Sequence, residues 1–133
     1  MIVVDSNVVV YLYLPTALTP YAVKLRAAEP DWAVPRLWRS EMRSALSLYI
    51  RKELITLEQA FRIQNAAETL LAASEFDVPS LEILQLVHES ACSAYDCEFV
   101  ALAKALGVKL ITADKKVLKA FPETALSLAI AGA

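Results

Sequence analysis

Residues 93–114, SAYDCEFVALAKALGVKLITAD, decide the fold. The run predicts a helix opened by an acid at Asp96 and stopped at Gly107. A short apolar strand over Val108 to Thr112 follows and delivers a second acid, Asp114, just past its end. Glycine after the last periodic residue stops a helix because it takes the left-handed conformation without a Cβ clash. Phe99, Leu102, Ala103 and Leu106 recur at three- and four-residue spacing and form one apolar face. Asp96 lies at the first turn, where the helix dipole favours a carboxylate. Taken singly, Asp96 and Asp114 read as an N-cap and a turn residue before they read as catalytic.

The rest of the chain supplies the context. Ile2-Val3-Val4 is a β-branched run that stops at Asp5-Ser6-Asn7 and reads as a buried strand. Val8 to Leu14 begins a helix, and Thr19-Pro20 restarts one over Tyr21 to Ala28, with Thr19 as cap and Pro20 at the first helical position. Trp32 to Val34 predicts a second strand, closed by Pro35. An amphipathic helix follows from Arg36 to Lys52, its stripe running through Trp38, Met42, Ala45, Leu48 and Tyr49, with Glu41 beside it. Thr56-Leu57-Glu58-Gln59 has the form of a capping box for a helix to about Ala73. Phe76 to Val78 predicts a third strand, Ser80 a cap for the helix Leu81 to Ala91, Asp114 to Ala120 a short helix, and Thr124 to Leu128 a last strand. Strands alternating with helices predict one α/β domain over residues 1–133, its sheet mainly parallel and covered on both faces.

Composition narrows the function classes. At 133 residues, 57% hydrophobic and with two glycines, the chain is long enough for one domain with a core and is not a disordered or linker-rich sequence. No apolar run reaches the roughly eighteen residues of a membrane span, and the N-terminus lacks a basic segment followed by an apolar block, so a soluble cytoplasmic protein is expected. Thirteen basic against fifteen acidic residues give a net charge of −2, which neither advertises nor excludes nucleic-acid binding. Cys92 and Cys97 have no second pair to complete a zinc site and read as buried thiols. His88, the one histidine, reads as a partly exposed structural residue.

In a parallel α/β sheet, ligands bind outside the carboxyl ends of the strands. That rule places Asp5 after the first strand, Asp114 after the fourth, and Glu41 in the first turns of the helix after the second. Asp96 joins them if its helix returns from that side. Carboxylates converging on one point repel, and a fold tolerates them when a cation sits among them. All-oxygen ligands favour a hard ion, Mg²⁺ or Mn²⁺, over zinc, and such an ion suits phosphodiester hydrolysis. Scattered caps and turns are the alternative reading of the same four acids.

These residues resemble the PIN-domain ribonucleases, and within them the VapC toxins of bacterial and archaeal toxin–antitoxin pairs. The resemblance covers essentially the whole chain. It rests on Ile2 to Val8, Pro35 to Ala45 around Glu41, Tyr95-Asp96 with Phe99 to Ala103, and Leu110 to Asp114. It implies a three-layer α/β/α sandwich with a parallel sheet of four or five strands. It also implies an acidic site for Mg²⁺ or Mn²⁺ and endonucleolytic cleavage of RNA. Carried over by position, Asp5, Glu41, Asp96 and Asp114 match the family's acidic quartet, with Asp5 and Asp96 in direct metal contact and Glu41 and Asp114 acting through water. Asn7 and Thr112 match supporting polar residues. The resemblance further implies a homodimer and an antitoxin that covers the site.

For RNA contacts, Arg36, Arg39 and Arg43 form a ridge on the helix bearing Glu41, and Lys115 and Lys116 adjoin Asp114; either group tracks phosphates toward the acids, or is a solvated face and an ordinary turn. The helix from Leu57 carries Phe61, Ile63, Ala67, Leu70 and Leu71, more apolar surface than a solvent-facing helix requires, which suits a dimer face or a partner's groove. Rival classes fit less well. A receiver domain wants an acidic pair after its first strand, and an aspartyl phosphatase a second Asp where Asn7 stands. A free-standing RNA-processing nuclease matches the same residues as a toxin. A non-catalytic binding module has no reason to keep four mutually repelling acids.

Overall fold

Five short strands, none longer than four residues, carry the molecule's architecture in the computed structural model, which describes residues 1–133. In chain order the elements are β1 (Ile2–Val4), α1 (Ser6–Tyr13), α2 (Thr19–Ala28), β2 (Trp32–Pro35), α3 (Leu37–Arg51), α4 (Leu57–Leu71), a 3₁₀ turn (Ala72–Ser74) and β3 (Glu75–Phe76). Then follow α5 (Ser80–His88), α6 (Ala94–Leu106), β4 (Leu110–Thr112), α7 (Lys115–Ala120), β5 (Ala125–Ser127) and α8 (Leu128–Ala131). The strands form one sheet in the order β3-β2-β1-β4-β5, and every pairing is parallel. From β1 the chain winds outward through β2 to β3, then crosses back to β4 and β5. The direction therefore reverses between β1 and β4, where an open parallel sheet leaves a crevice at its carboxyl edge.

The strands are apolar because both faces are covered. Val3, Val4, Ala33, Val34, Leu110 and Ile111 are buried in a core of 31 residues that also holds Trp38, Met42 and Phe99. Helices α5 and α6 pack together, α6 lying against β1, β2 and β4; α1 packs against α2, α3 and α4, and the last two also touch β2. No helix is long and apolar enough to cross a membrane. At the C-terminus Gly132 lets α8 close on α2, since a Cβ there would meet the Tyr21 carbonyl oxygen at 2.1 Å.

Several boundaries differ from those expected, each for a local reason. Helix α6 is capped by Ser93, whose hydroxyl accepts from the Asp96 N–H at 3.1 Å, so Asp96 lies inside the first turn. Gly107 takes φ 68°, and the Gly107 and Val108 amides donate to Lys104 and Ala103 in a Schellman closure. That closure consumes the Val108 amide and delays β4 to Leu110. Thr19 is the first residue of α2 instead of its cap; its hydroxyl donates to the Leu14 carbonyl and ties the turn after α1. Ser80 likewise lies inside α5, behind Pro79, and α5 ends at His88. Strand β3 starts one residue early, with Glu75 opposite Val34, and already ends at Phe76. The capping box of Thr56 and Gln59 is present with both reciprocal bonds.

Candidate active site

Asp5 is where the sheet hands over to the site. Its amide still donates to the Ile111 carbonyl, extending β1 along β4, while its side chain caps α1 by accepting from the Ser6 N–H at 2.8 Å. A strand that ends in a capping acid projects that acid over the carboxyl edge. The carboxylate is 8% exposed. Its other oxygen accepts from the Thr112 hydroxyl at 2.7 Å, across the β1–β4 switch point.

Thr112 is fully buried and acts as a hub. Its one O–H goes to Asp5, and its oxygen accepts from Asn7 Nδ2 at 3.3 Å and from the Asp114 N–H at 3.0 Å. A hydroxyl has one donor and two acceptor sites, so Thr112 has none left. Asn7 completes the brace, donating weakly to Asp5 Oδ2 at 3.4 Å and accepting from the Ala113 N–H at 3.2 Å. Asp114, so positioned, caps α7 through the Lys116 N–H at 2.8 Å.

Glu41 reaches the same place from α3. Ser6 donates its hydroxyl to Glu41 Oε1 at 2.8 Å, linking the end of β1 to that helix. Asp5, Ser6, Asn7, Glu41, Asp96 and Asp114 line one cleft of about 320 Å³, together with Val10, Tyr11 and Ala45. Helix α6 therefore does return from the side that brings Asp96 to the edge. Ser6 and Tyr11 were not among the residues expected there. Ser6 adjoins Asp5 in sequence, and Tyr11 follows Asn7 by four positions and so shares its helix face.

The electrostatics are those of an uncompensated acid cluster. No Lys or Arg forms an ion pair with any of the four acids. Burial, reinforced by Glu41 and Asp96, pushes the Asp5 carboxyl up to about 6 even though Thr112 and Ser6 favour its charged form. Burial also raises Glu41 despite its bond from Ser6, and Asp96 adds to that rise. Glu98, two residues beyond Asp96, is raised by burial and then by Glu41, so a fifth acid borders the cluster. The donor set, all carboxylate and hydroxyl oxygen, fits a hard divalent cation and not a thiophilic one. No three of these side chains are drawn tightly enough to make a ready-formed metal cage. An ion held here would keep water in part of its shell, as Mg²⁺ does.

The arginine ridge is a correction. Arg39 and Arg43 each lie two residues from Glu41, roughly 200° around the helix, and face away from the acids. Arg39 is occupied elsewhere: it grips Glu75 through Nε and Nη2, both at 2.7 Å, and Glu68 through Nη1 at 2.7 Å. Glu75, with its side chain 4% exposed, also accepts from Trp38 Nε1 at 2.9 Å, and Arg39 holds its carboxyl below the usual range. Arg36 pairs with Asp77 on the surface, and Arg43 donates to Ser40. Lys115 and Lys116 are exposed on α7 beside Asp114. Cys92 and Cys97 are buried free thiols, raised chiefly by burial. On α4, Ala67 and Leu71 enter the core and Ile63 and Leu70 pack partly against it, while Leu57 and Phe61 stay 56% and 59% exposed.

The PIN-domain family model matches residues 2–123. Among solved structures the chain is similar to FitAcB from Neisseria gonorrhoeae, at 20% identity and a TM-score of 0.72, over 97% of this chain and 99% of that one. It is similar to PAE2754 from Pyrobaculum aerophilum, at 19% identity and a TM-score of 0.69, over 98% and 92%. A structure of FitAB bound to an IR36 DNA fragment matches at 18% identity and a TM-score of 0.73, over 96% and 95%. At these identities the likeness is one of fold. No match was found among curated proteins.

Proposed function

This chain belongs to the PIN-domain family, and from that premise we propose that it is a metal-dependent endoribonuclease, the toxin of a toxin–antitoxin pair. One observation carries the reading. Four acids from four separate elements line a single cleft at the switch point, with no cationic side chain to neutralise them. Burial and the charges of Glu41 and Asp96 lift the Asp5 carboxyl to about 6, the kind of perturbation that gathers at functional sites.

Asp5 and Asp96 would hold Mg²⁺ or Mn²⁺, with Asp114 and Glu41 lining the same cleft beside it. Such an ion would supply Lewis-acid polarisation of a phosphodiester oxygen and would lower the pKa of a bound water for attack on phosphorus. The chain's own groups do the rest. Thr112 and the Ser6 amide fix both oxygens of Asp5, so its charge has one orientation. Ser6 fixes Glu41 Oε1 and leaves Oε2 to orient water or accept a proton. Asn7 locks the Ala113 peptide, and with Thr112 it sets where Asp114 projects.

The exposed apolar residues Leu48, Leu54, Leu57 and Phe61 gather where α3 hands over to α4, and we assign them to the contact between two copies of the chain. The antitoxin then covers the acid cleft.

The test is cleavage of structured and single-stranded RNAs by the purified protein, with Mg²⁺ or Mn²⁺ and with chelator, beside an identically purified Asp96→Asn variant. Cleavage that needs the ion and is absent from the variant is expected. Equal cleavage by both proteins is contamination, and no cleavage together with no ion-induced rise in melting temperature overturns the nuclease.

A further inference from the structure

A second cleft adjoins the acids. It measures about 390 Å³ and lies between the α5–α6 connection and α7, with Ser90 and Cys92 on one wall and Lys116 and Lys119 on the other. Both walls run into the active site. The Ser90–Cys92 segment leads through Ser93 into the helix turn that presents Asp96. Lys116 is tied to Asp114 by its amide, at 2.8 Å, while its carbonyl accepts from the Cys92 thiol at 3.8 Å. The proximity is also electrostatic, since Asp96, Lys116 and Asp114 all act on the Cys92 thiol.

Charge distinguishes this cleft. Lys115, Lys116 and Lys119 put three cations on a six-residue helix, and none of them is in an ion pair. Lys116 and Lys119, three apart, share a helix face. A polyanion approaching four carboxylates needs positive charge beside them, and α7 is the cationic helix that carries one of those acids as its own cap. The arginines of α3 do not serve, because they point away or are bound by Glu75, Glu68 and Asp77. The lining has no aromatic side chain on which a base could stack, and its one carboxylate, Glu89, accepts from Gln85.

We propose that this cleft is a backbone subsite for single-stranded RNA, in which Lys116 and Lys119 hold phosphates flanking the bond that is cut. The proposal rests on the nuclease reading and adds where the strand lies and how it is held. The volume falls in the range of small-ligand sites. Without stacking or base-edge partners the subsite fixes position and affinity and reads no sequence.

The experiment measures binding of a fluorescein-labelled 12-nucleotide RNA by anisotropy in the full-length Asp96→Asn protein, in chelator, across a salt series. Lys116→Ala/Lys119→Ala is compared with Lys104→Ala/Lys109→Ala, which removes the same charge from the opposite edge of the sheet. Melting curves confirm that each variant folds. The subsite pair should weaken binding about tenfold at about 0.1 M salt. It should also lower the slope of log affinity against log salt by about 0.7 for each lost phosphate contact. The effect should be equal for RNAs of different base composition, and the control pair should leave both readouts unchanged. Equal losses from the two pairs, or none from the subsite pair, overturn the subsite while leaving nuclease activity to stand on its own assay. A loss confined to certain base compositions overturns the backbone role. If the Asp96→Asn protein binds neither this RNA nor its DNA counterpart at low salt, the nuclease reading fails and takes the subsite with it.

Discussion

Replacing Asp5 with Asn should flatten part of the pH dependence of folding measured in chelator. In the folded protein burial lifts this carboxyl from 3.8 to about 6. The folded state therefore binds the proton more tightly than the unfolded chain does. Its contribution to stability is fully present below pH 3.8 and is lost as pH rises through about 6. At about 1.4 kcal/mol per pKa unit, the full loss is about 3 kcal/mol. About 1 kcal/mol is already gone at about pH 4.5, so about 2 kcal/mol separates that pH from about pH 7.5. For a chain of this length that is roughly 5–8 °C in melting temperature. The assay is thermal or urea unfolding of wild type and Asp5→Asn across that range, with chelator present. Glu41 and Glu98 titrate in both proteins, so the difference between the curves reports Asp5 together with its coupling to Glu41. The variant starts lower by a constant amount, because an amide cannot accept from both the Ser6 N–H and the Thr112 hydroxyl. What matters is the change in that gap: it should close by about 2 kcal/mol between the two pH values. A gap that stays constant with pH refutes the idea that burial of an uncompensated charge governs this site. Saturating Mn²⁺ should remove the wild-type decline and leave the variant unmoved.

Four further outcomes are expected. Thr112→Val, which keeps the shape and deletes the hub hydroxyl, should cost about 2–4 kcal/mol by leaving several polar groups unpaired, and Thr112→Ser should recover most of it in the same unfolding assay. Ser6→Ala should cost about 1 kcal/mol in stability; because the Ser6 bond lowers Glu41, its loss should also move the acid limb of the cleavage–pH profile upward. Arg39→Ala should lower the melting temperature clearly more than Arg36→Ala, whose partner Asp77 is on the surface, while cleavage per folded molecule stays unchanged in both. Leu57→Glu/Phe61→Glu should convert a dimer to a monomer in sedimentation velocity at micromolar concentration, with wild-type mass before and after counting against that interface.

The fold was legible because its signals are local. Strand and helix periods, the Thr56–Gln59 capping box and the Gly107 stop each need only a few neighbours to act. The placement of Asp5 and Asp114 followed too, since a residue just past a parallel strand has nowhere else to go. Less was legible where tertiary partners decide. Arg39 and Arg43 looked like a phosphate ridge by spacing, but their position relative to Glu41 already pointed them away, and Glu75 from a distant strand claims Arg39. Ser6 carries no motif signal for a bond to Glu41, 35 residues on. Lys119 stood outside the residues singled out, because only the packing of α7 against the Ser90–Cys92 segment gives it a neighbour of consequence.

The hydrogen bond between Asp5 and Thr112 joins residues 107 apart in sequence. The first strand is the centre of the sheet, yet its partner β4 begins only at Leu110. A chain emerging from its N-terminus thus has no acid site until residue 114 is free and the parallel β1–β4 pair has closed. Such long-range closure is the slow kind of folding step. Synthesis therefore imposes a delay between the appearance of the first acid of the cluster, Asp5, and the first moment at which the four acids share one cleft.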